Sequence, residues 1–283
     1  EAVWSPGDPS RTLPGPVPTP SESLDGVGRW QLVTRHSNLA PVTASFSPDG
    51  TFVATGSEEG LVRIRNTKSG AVVAILPGHS GRNNSVAWSR EGNWLASCGD
   101  EHVCRLWSSE DWTLEQTHES PSGCSRIAFS PTADEFATLG WDGRLSLWSF
   151  DGRLLSEDAN VPGQPTAMAW SPDGQQLAIS GENGGLRRFR VTSGQIMRPQ
   201  HVKFESGIVQ MIAWRNLGEI IAADAQHVLH LLRHQKGEWR HMESWPSQHS
   251  QIRMLAWDED TDHLWTGGWD GHLRQWDVDH PQA

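Results

Sequence analysis

The chain has 283 residues, with 23 Lys and Arg against 34 Asp and Glu, for a formal charge of -11. A phosphate-tracking groove needs a basic face, so nucleic acid is not expected as the main ligand. No run approaches ~18 apolar residues and no charged-then-apolar leader opens the chain, so neither a membrane span nor a secretory signal is expected.

Residues 1–28 are rich in proline (Pro6, Pro9, Pro14, Pro16, Pro18, Pro20). Proline removes a ladder donor, so most of this segment is expected to be loop or extended coil ahead of a folded unit over 29–283. Strand character begins at Arg29–Val33. From there an aromatic residue ends a short strand at Phe46, Trp88, Phe129, Trp170, Trp214 and Trp257, at intervals of 41 to 44 residues. Alanine precedes five of the six, and four are followed by turns such as Ser47-Pro48-Asp49-Gly50 and Ser171-Pro172-Asp173-Gly174. After a second strand, a polar residue falls 12 or 13 positions past the aromatic: Glu59, Glu101, Asp142, Asn183, Gln226 and Asp270. Six further on stand Arg65, Trp107, Trp148, Phe189, Leu232 and Trp276, and a fourth strand follows. The stretch Ile252–Asp277 shows the unit most clearly, with Trp269-Asp270-Gly271 as a tight hairpin turn. Four short strands repeated at a period near 42 mean a radial array of four-stranded sheets.

These repeats resemble the WD-repeat family of β-propellers, whose units run from a Gly-His turn to a Trp-Asp pair. Gly78-His79 and Trp276-Asp277 match literally, Ser-Pro-Asp-Gly occurs twice, and the likeness covers residues 30–277. The resemblance implies an all-β propeller of four-stranded antiparallel blades. It also implies a polar brace in each complete blade: a turn histidine, a second-strand Ser or Thr, the turn acid and the third-strand Trp. The sixth repeat offers His249, Thr266, Asp270 and Trp276. The second offers His79, Ser97 and Trp107 with Glu101 as the acid, and the third offers Thr138, Asp142 and Trp148 with His118 out of register. Ile179 and Ala222 stand where the hydroxyl belongs in the fourth and fifth repeats, so those blades are expected to be looser, held by packing rather than by a hydrogen-bond chain. Trp4 lies 42 residues before Phe46, and seven is the family's usual blade number. The expectation is seven blades with a degraded first blade over residues 1–34. In the six-blade alternative, Trp30–Thr34 supplies the outer strand of the last blade.

Cys98, Cys104 and Cys124 have no zinc-type spacing and cannot form a full disulfide framework, so they read as small buried hydrophobes of a reducing compartment, and the chain as cytoplasmic. His227, His230 and His234 invite a metal reading, but on a strand His227 and His230 point to opposite faces and read as separate, solvated imidazoles. No nucleophile elbow, His-Glu-x-x-His or phosphate loop occurs, so neither an enzyme nor a cofactor is expected.

By family analogy, three positions per repeat project onto the narrow face of the ring. The first two give Arg82 and Asn84, Gln164 and Thr166, Ile208 and Gln210, Gln251 and Arg253. The third gives Glu58, Asp100, Trp141, Glu182, Ala225 and Trp269. Exposed Trp and Arg are enriched in interface hot spots, and the acids favour a partner with a Lys- or Arg-bearing segment. The expected function is a non-catalytic scaffold that docks a peptide or domain on this face. The alternatives are a ligand-sensing or metal-handling propeller using the C-terminal histidines, or the sensor module of a larger signalling protein.

Overall fold

The computed structural model of the chain describes residues 41–158, 161, 163–183, 185–202, 207–259 and 261–279. These residues form six antiparallel sheets in chain order, and every regular element among them is a strand. The first strands are Pro41–Phe46, Asn83–Trp88, Cys124–Phe129, Pro165–Trp170, Val209–Asn216 and Ile252–Asp258. Blade two continues through Trp94–Gly99, Val103–Ser108 and Leu114–Glu119, each strand paired with the one before it. In blade four the outer position is shared by Gln195–Ile196 and Gln200–Val202, both on the third strand. Blade six shows three strands among the described residues. The architecture is a six-bladed propeller. The seventh blade expected on residues 1–34, and the strand expected at Trp30–Thr34, lie outside the described residues.

The core lies between the sheets. Successive side chains of a strand point to opposite faces, so each inner strand feeds two different seams. Leu95 and Trp107 of blade two meet Ala54, Ile64 and Leu76 of blade one. The neighbouring residues Ala96 and Leu106 turn the other way, onto Ile127, Phe129 and Phe136 of blade three. The same exchange fills the three following seams, around Ile179 and Phe189, around Trp214 and Leu232, and around Trp245 and Trp276. Second strands of the first five blades are therefore buried almost throughout, and burying each large apolar side chain stabilises the ring by roughly 2–3 kcal/mol.

The indoles that end the first strands also reach backwards. Trp88, Trp170 and Trp214 donate through Nε1 to the carbonyls of Ser45, Ala128 and Ala169, each at 3.1 Å. Each acceptor lies just before the corresponding aromatic of the preceding blade. A repeat of sequence thus becomes a repeat of inter-blade hydrogen bonds.

The expected brace is complete in blades two and six. His249 lies 2.9 Å from both Asp270 Oδ1 and Thr266 Oγ1, and Trp276 Nε1 donates to Thr266 Oγ1 at 2.8 Å. In blade two, His79 Nε2 lies 2.7 Å from Ser97 Oγ, which also accepts from Trp107 Nε1 at 2.8 Å. Glu101 takes the acid's role, pairing with both His79 and Arg105. Blade three keeps Trp148 Nε1 on Thr138 Oγ1 at 3.0 Å, but His118 packs on the Phe136 and Trp148 rings and its Nε2 meets no hydrogen-bond partner.

Blade five corrects an expectation. Its hydroxyl is indeed replaced by buried Ala222, but a different polar chain runs alongside. Asp224 Oδ1 accepts from the Gln226 and Val228 amides at 2.9 Å, and Asp224 Oδ2 lies 3.0 Å from His230 Nε2. His230 Nδ1 in turn lies 3.4 Å from His241 Nε2. The turn is one residue short, so Asp224 at the strand end caps it in place of Gln226. His227 adopts a φ of 65° in the turn, the conformation expected of the glycine it replaces.

Candidate functional site

In repeats two, four, five and six the predicted positions come together where first strands begin and the second-to-third-strand turns lie. A recurring backbone bond joins two of the sets. The amides of Asp100, Glu182, Ala225 and Trp269 donate to the carbonyls of Arg82, Gln164, Ile208 and Gln251, at 2.8 to 3.1 Å. In blade two the approach is close enough to require glycine, since a Cβ on Gly99 would lie 2.0 Å from the Arg82 carbonyl oxygen.

The remaining set sits on a feature that the repeat spacing does not reveal. Every first strand has an irregular register beside its second strand, skipping Val42, Asn84, Ser125, Thr166, Gln210 or Arg253. An extra residue of this kind bends the strand and re-aims its side chain. Three of the six side chains reach forward to the next blade. Asn84 Nδ2 donates to the Cys124 carbonyl at 3.1 Å and Ser125 Oγ to the Pro165 carbonyl at 3.2 Å. Thr166 Oγ1 donates to the Val209 carbonyl at 2.5 Å. Each acceptor immediately precedes the next blade's bulged residue.

The candidate residues therefore divide by what they touch. Asn84 also holds Asp100 Oδ1 at 2.7 Å, so this pair is engaged within the ring. Glu58, Glu182 and Arg82 are exposed, and Gln210 is half-buried. Trp141 is half-buried and lies against Gly123, where an added Cβ would meet its Cδ1 at 3.1 Å. Trp269 differs, with 71% of its surface exposed. The Arg253 guanidinium stacks 4.3 Å from the centre of the Trp269 ring, and its Nη2 donates to Gln251 Oε1 at 3.0 Å. All three predicted positions of blade six thus join in one unit, an exposed Arg253–Trp269 pair steadied by half-buried Gln251.

Sequence spacing missed Arg126, which follows the blade-three bulge. It is half-buried and donates through Nη1 to the Ser125 carbonyl at 2.7 Å and through Nη2 to the Thr166 carbonyl at 2.6 Å. Burial, reinforced by the Arg82 charge, lowers its pKa. Only the bulge, invisible to a linear ruler, singles that position out.

His227, His230 and His234 of blade five do not come together as a set of potential ligands. His230 is buried against Asp224, which corrects its expected solvation, while His234 is exposed and packs on Trp239. Among the described residues the one group of three potential ligands that does converge is Cys98, Cys104 and Cys124. All three are buried as expected, but the structure pairs Cys98 with Cys124 as a disulfide, contrary to the expectation of separate thiols. The two occupy facing strands of adjacent blades, a proximity that spacing along the chain does not encode.

Comparison with known proteins agrees with this architecture. Residues 31–66, 70–108 and 242–277 match the family described as WD domain, G-beta repeat, and residues 127–217 match the anaphase-promoting complex subunit 4 WD40 domain. The chain belongs to the WD-repeat family of β-propellers. It is 35% identical over 97 residues to pre-mRNA-processing factor 19 homolog 2 of Arabidopsis thaliana, a match spanning 31% of this chain and 18% of that protein. The β-propeller domain of Cps50 (Swd1) from Myceliophteria thermophila superimposes with a TM-score of 0.69 at 17% identity, covering 87% of this chain and 86% of that one. A chain of the mitotic checkpoint complex gives a TM-score of 0.75 at 19% identity, covering 86% of this chain and 76% of that one. At such identities the likeness is one of fold.

Proposed function

We propose that this propeller is a non-catalytic interaction scaffold that docks a peptide or domain, with a Lys- or Arg-bearing segment, on the end of the ring carrying Trp269. The exposed Trp269–Arg253 pair is the observation that carries the reading. A solvent-facing indole under a guanidinium presents a large, rigid contact area to a partner. Exposed Glu58 and Glu182 on the same end supply the charge that draws a basic segment. Family membership supports the coarser role, since WD-repeat propellers serve as scaffolds within protein complexes.

The test is a peptide array of Lys- and Arg-containing sequences, with neutral and acidic controls, probed with the intact chain. Binding is expected to favour the basic peptides, weaken with salt, and fall by roughly 30-fold or more in Trp269→Ala, the size of a hot-spot loss. The same variant should keep its folding stability within about 0.5 kcal/mol, because the removed side chain is exposed. Undiminished binding by both Trp269→Ala and Arg253→Ala would remove the assignment.

A further inference from the structure

Cys98 lies on the second strand of blade two, Cys104 directly opposite it on the third, and Cys124 at the start of the first strand of blade three. Their sulfurs lie within 4.8 Å of one another and none of the three residues is more than 1% exposed. The Cα atoms of Cys98 and Cys124 are 5.6 Å apart, inside the ordinary disulfide range. The two pairing sulfurs belong to different blades, so a bond between them crosses the seam. Both ends of that bond adjoin the proposed docking end. Cys98 is separated from Asp100 by Gly99 alone, while Cys124 precedes the bulged Ser125 and gives its carbonyl to Asn84.

We propose that Cys98 and Cys124 form a redox-controlled lock on the seam between blades two and three, fixing the segments that carry Asn84, Asp100 and Ser125. Formation removes two protons and two electrons from the two thiols and makes one S–S bond. A low-molecular-weight disulfide such as oxidised glutathione takes the electrons through a mixed disulfide, and its own S–S bond breaks to give two thiols. Reduction by a small thiol runs the same steps backwards.

A soft metal held by all three sulfurs is disfavoured on chemical grounds. Three thiolates would concentrate negative charge in a dry seam, and the nearby Arg105 is already engaged by Glu101 and His79. Among the described residues no His or carboxylate joins the cluster as a further ligand. Burial pushes the Cys104 thiol up to about 12, so it stays protonated and is a poor nucleophile toward the neighbouring bond. While the seam is closed, Cys104 is a bystander that leaves the Cys98–Cys124 pairing unscrambled. Because both paired residues are 0% exposed, reagents reach them only when the seam opens, and exchange is slow in the folded ring.

The experiment equilibrates the full chain in glutathione buffers of stepped potential, quenches in acid, blocks free thiols under denaturing conditions and measures intact mass. At oxidising poise one cysteine should be blocked, at reducing poise all three, and proteolytic mapping should join Cys98 to Cys124. Oxidation should raise the Tm by roughly 5–8 °C, the shift expected for a cross-link of this loop length in a chain of this size. Cys104→Ser should keep the linkage and Cys124→Ser should lose it. Three free thiols at every potential, a dominant linkage through Cys104, or a metal retained in stoichiometric amount with all three thiols protected would overturn the proposal. The mass readout on the unsubstituted chain stands even if a variant fails to fold. It is also independent of the docking reading, since the lock can be present on a propeller whose partner binds elsewhere.

Discussion

Blade two carries His79, Ser97, Glu101 and Trp107 in one connected chain of polar contacts, whereas blade five has Ala222 and Leu232 at the two central places of that chain. Both sit at the same point of the repeat and both are buried. In blade two the shared Ser97 hydroxyl serves an imidazole and an indole N–H at once, so removing that hydroxyl would take a partner from both in a dry site. In blade five Leu232 packs among Trp214, Ile220 and Trp239, and the polar link has moved to Asp224 and His230, which join the second strand's end to the third strand. A repeat can therefore keep its place in a ring by filling the same buried space with either chemistry.

The sharpest way to test that contrast is truncation. Trp107→Ala removes both the packing and the donor to Ser97 and is expected to cost about 3–5 kcal/mol, while Leu232→Ala, which removes packing alone, should fall in the lower part of the 2–5 kcal/mol range for such sites. Denaturant midpoints at constant m-value give both numbers. A larger loss at Leu232 would mean that packing dominates in both blades.

Acidification separates the two blades less strongly. Burial, helped by the Arg105 charge, lowers the His79 pKa from its ordinary 6.5 to about 4, against the opposing pull of Glu101. The unfolded chain binds a proton at this residue below 6.5 while the folded ring keeps it neutral, so stability falls as pH falls from 6.5 toward 4. The loss attributable to His79 reaches at most about 3 kcal/mol. His79→Gln should flatten that part of the profile, leaving the smaller slope due to His118 and His230, whose pKa values burial also lowers. Asp270 behaves oppositely: burial alone would raise its carboxyl, but hydrogen bonds from His249, Arg274 and the His272 amide hold it far below the usual range. Its contribution is lost only in stronger acid, as pH falls through its folded pKa. An acid profile unchanged by His79→Gln would break the assignment of blade two's sensitivity to its brace.

The smallest expected effect comes from transplanting the hydroxyl. Ala222→Ser places a polar group in blade five where Leu232 offers no donor and no turn histidine waits, and should destabilise by about 1–3 kcal/mol. A gain in stability instead would show that the two blades differ by sequence drift alone.

Much of the ring was legible before any coordinates, because its determinants are local and recur. The aromatic at each first-strand end, the Asp-Gly turns and the two-residue alternation each act within a few residues, and their recurrence from Phe46 to Trp276 leaves only a radial array as a way to cover every sheet. Family analogy, laid on the same ruler, pointed to the Asp100, Glu182 and Trp269 positions, which lie where the first-strand starts meet the turns. It could not rank them, because whether an indole is exposed like Trp269 or laid against Gly123 like Trp141 depends on the space beside it.

What the sequence determined by itself, then, is the unit and its repetition: strands, turns and the aromatic residues that would fill the seams, with the brace added by the family resemblance. The tertiary structure alone decided the bulge in every first strand, the forward bonds from Asn84, Ser125 and Thr166, the Asp224–His230 substitute and the meeting of three cysteines. Each of these joins groups on different strands, often in different blades, and such distances are set by how whole sheets pack, which no spacing along one strand records.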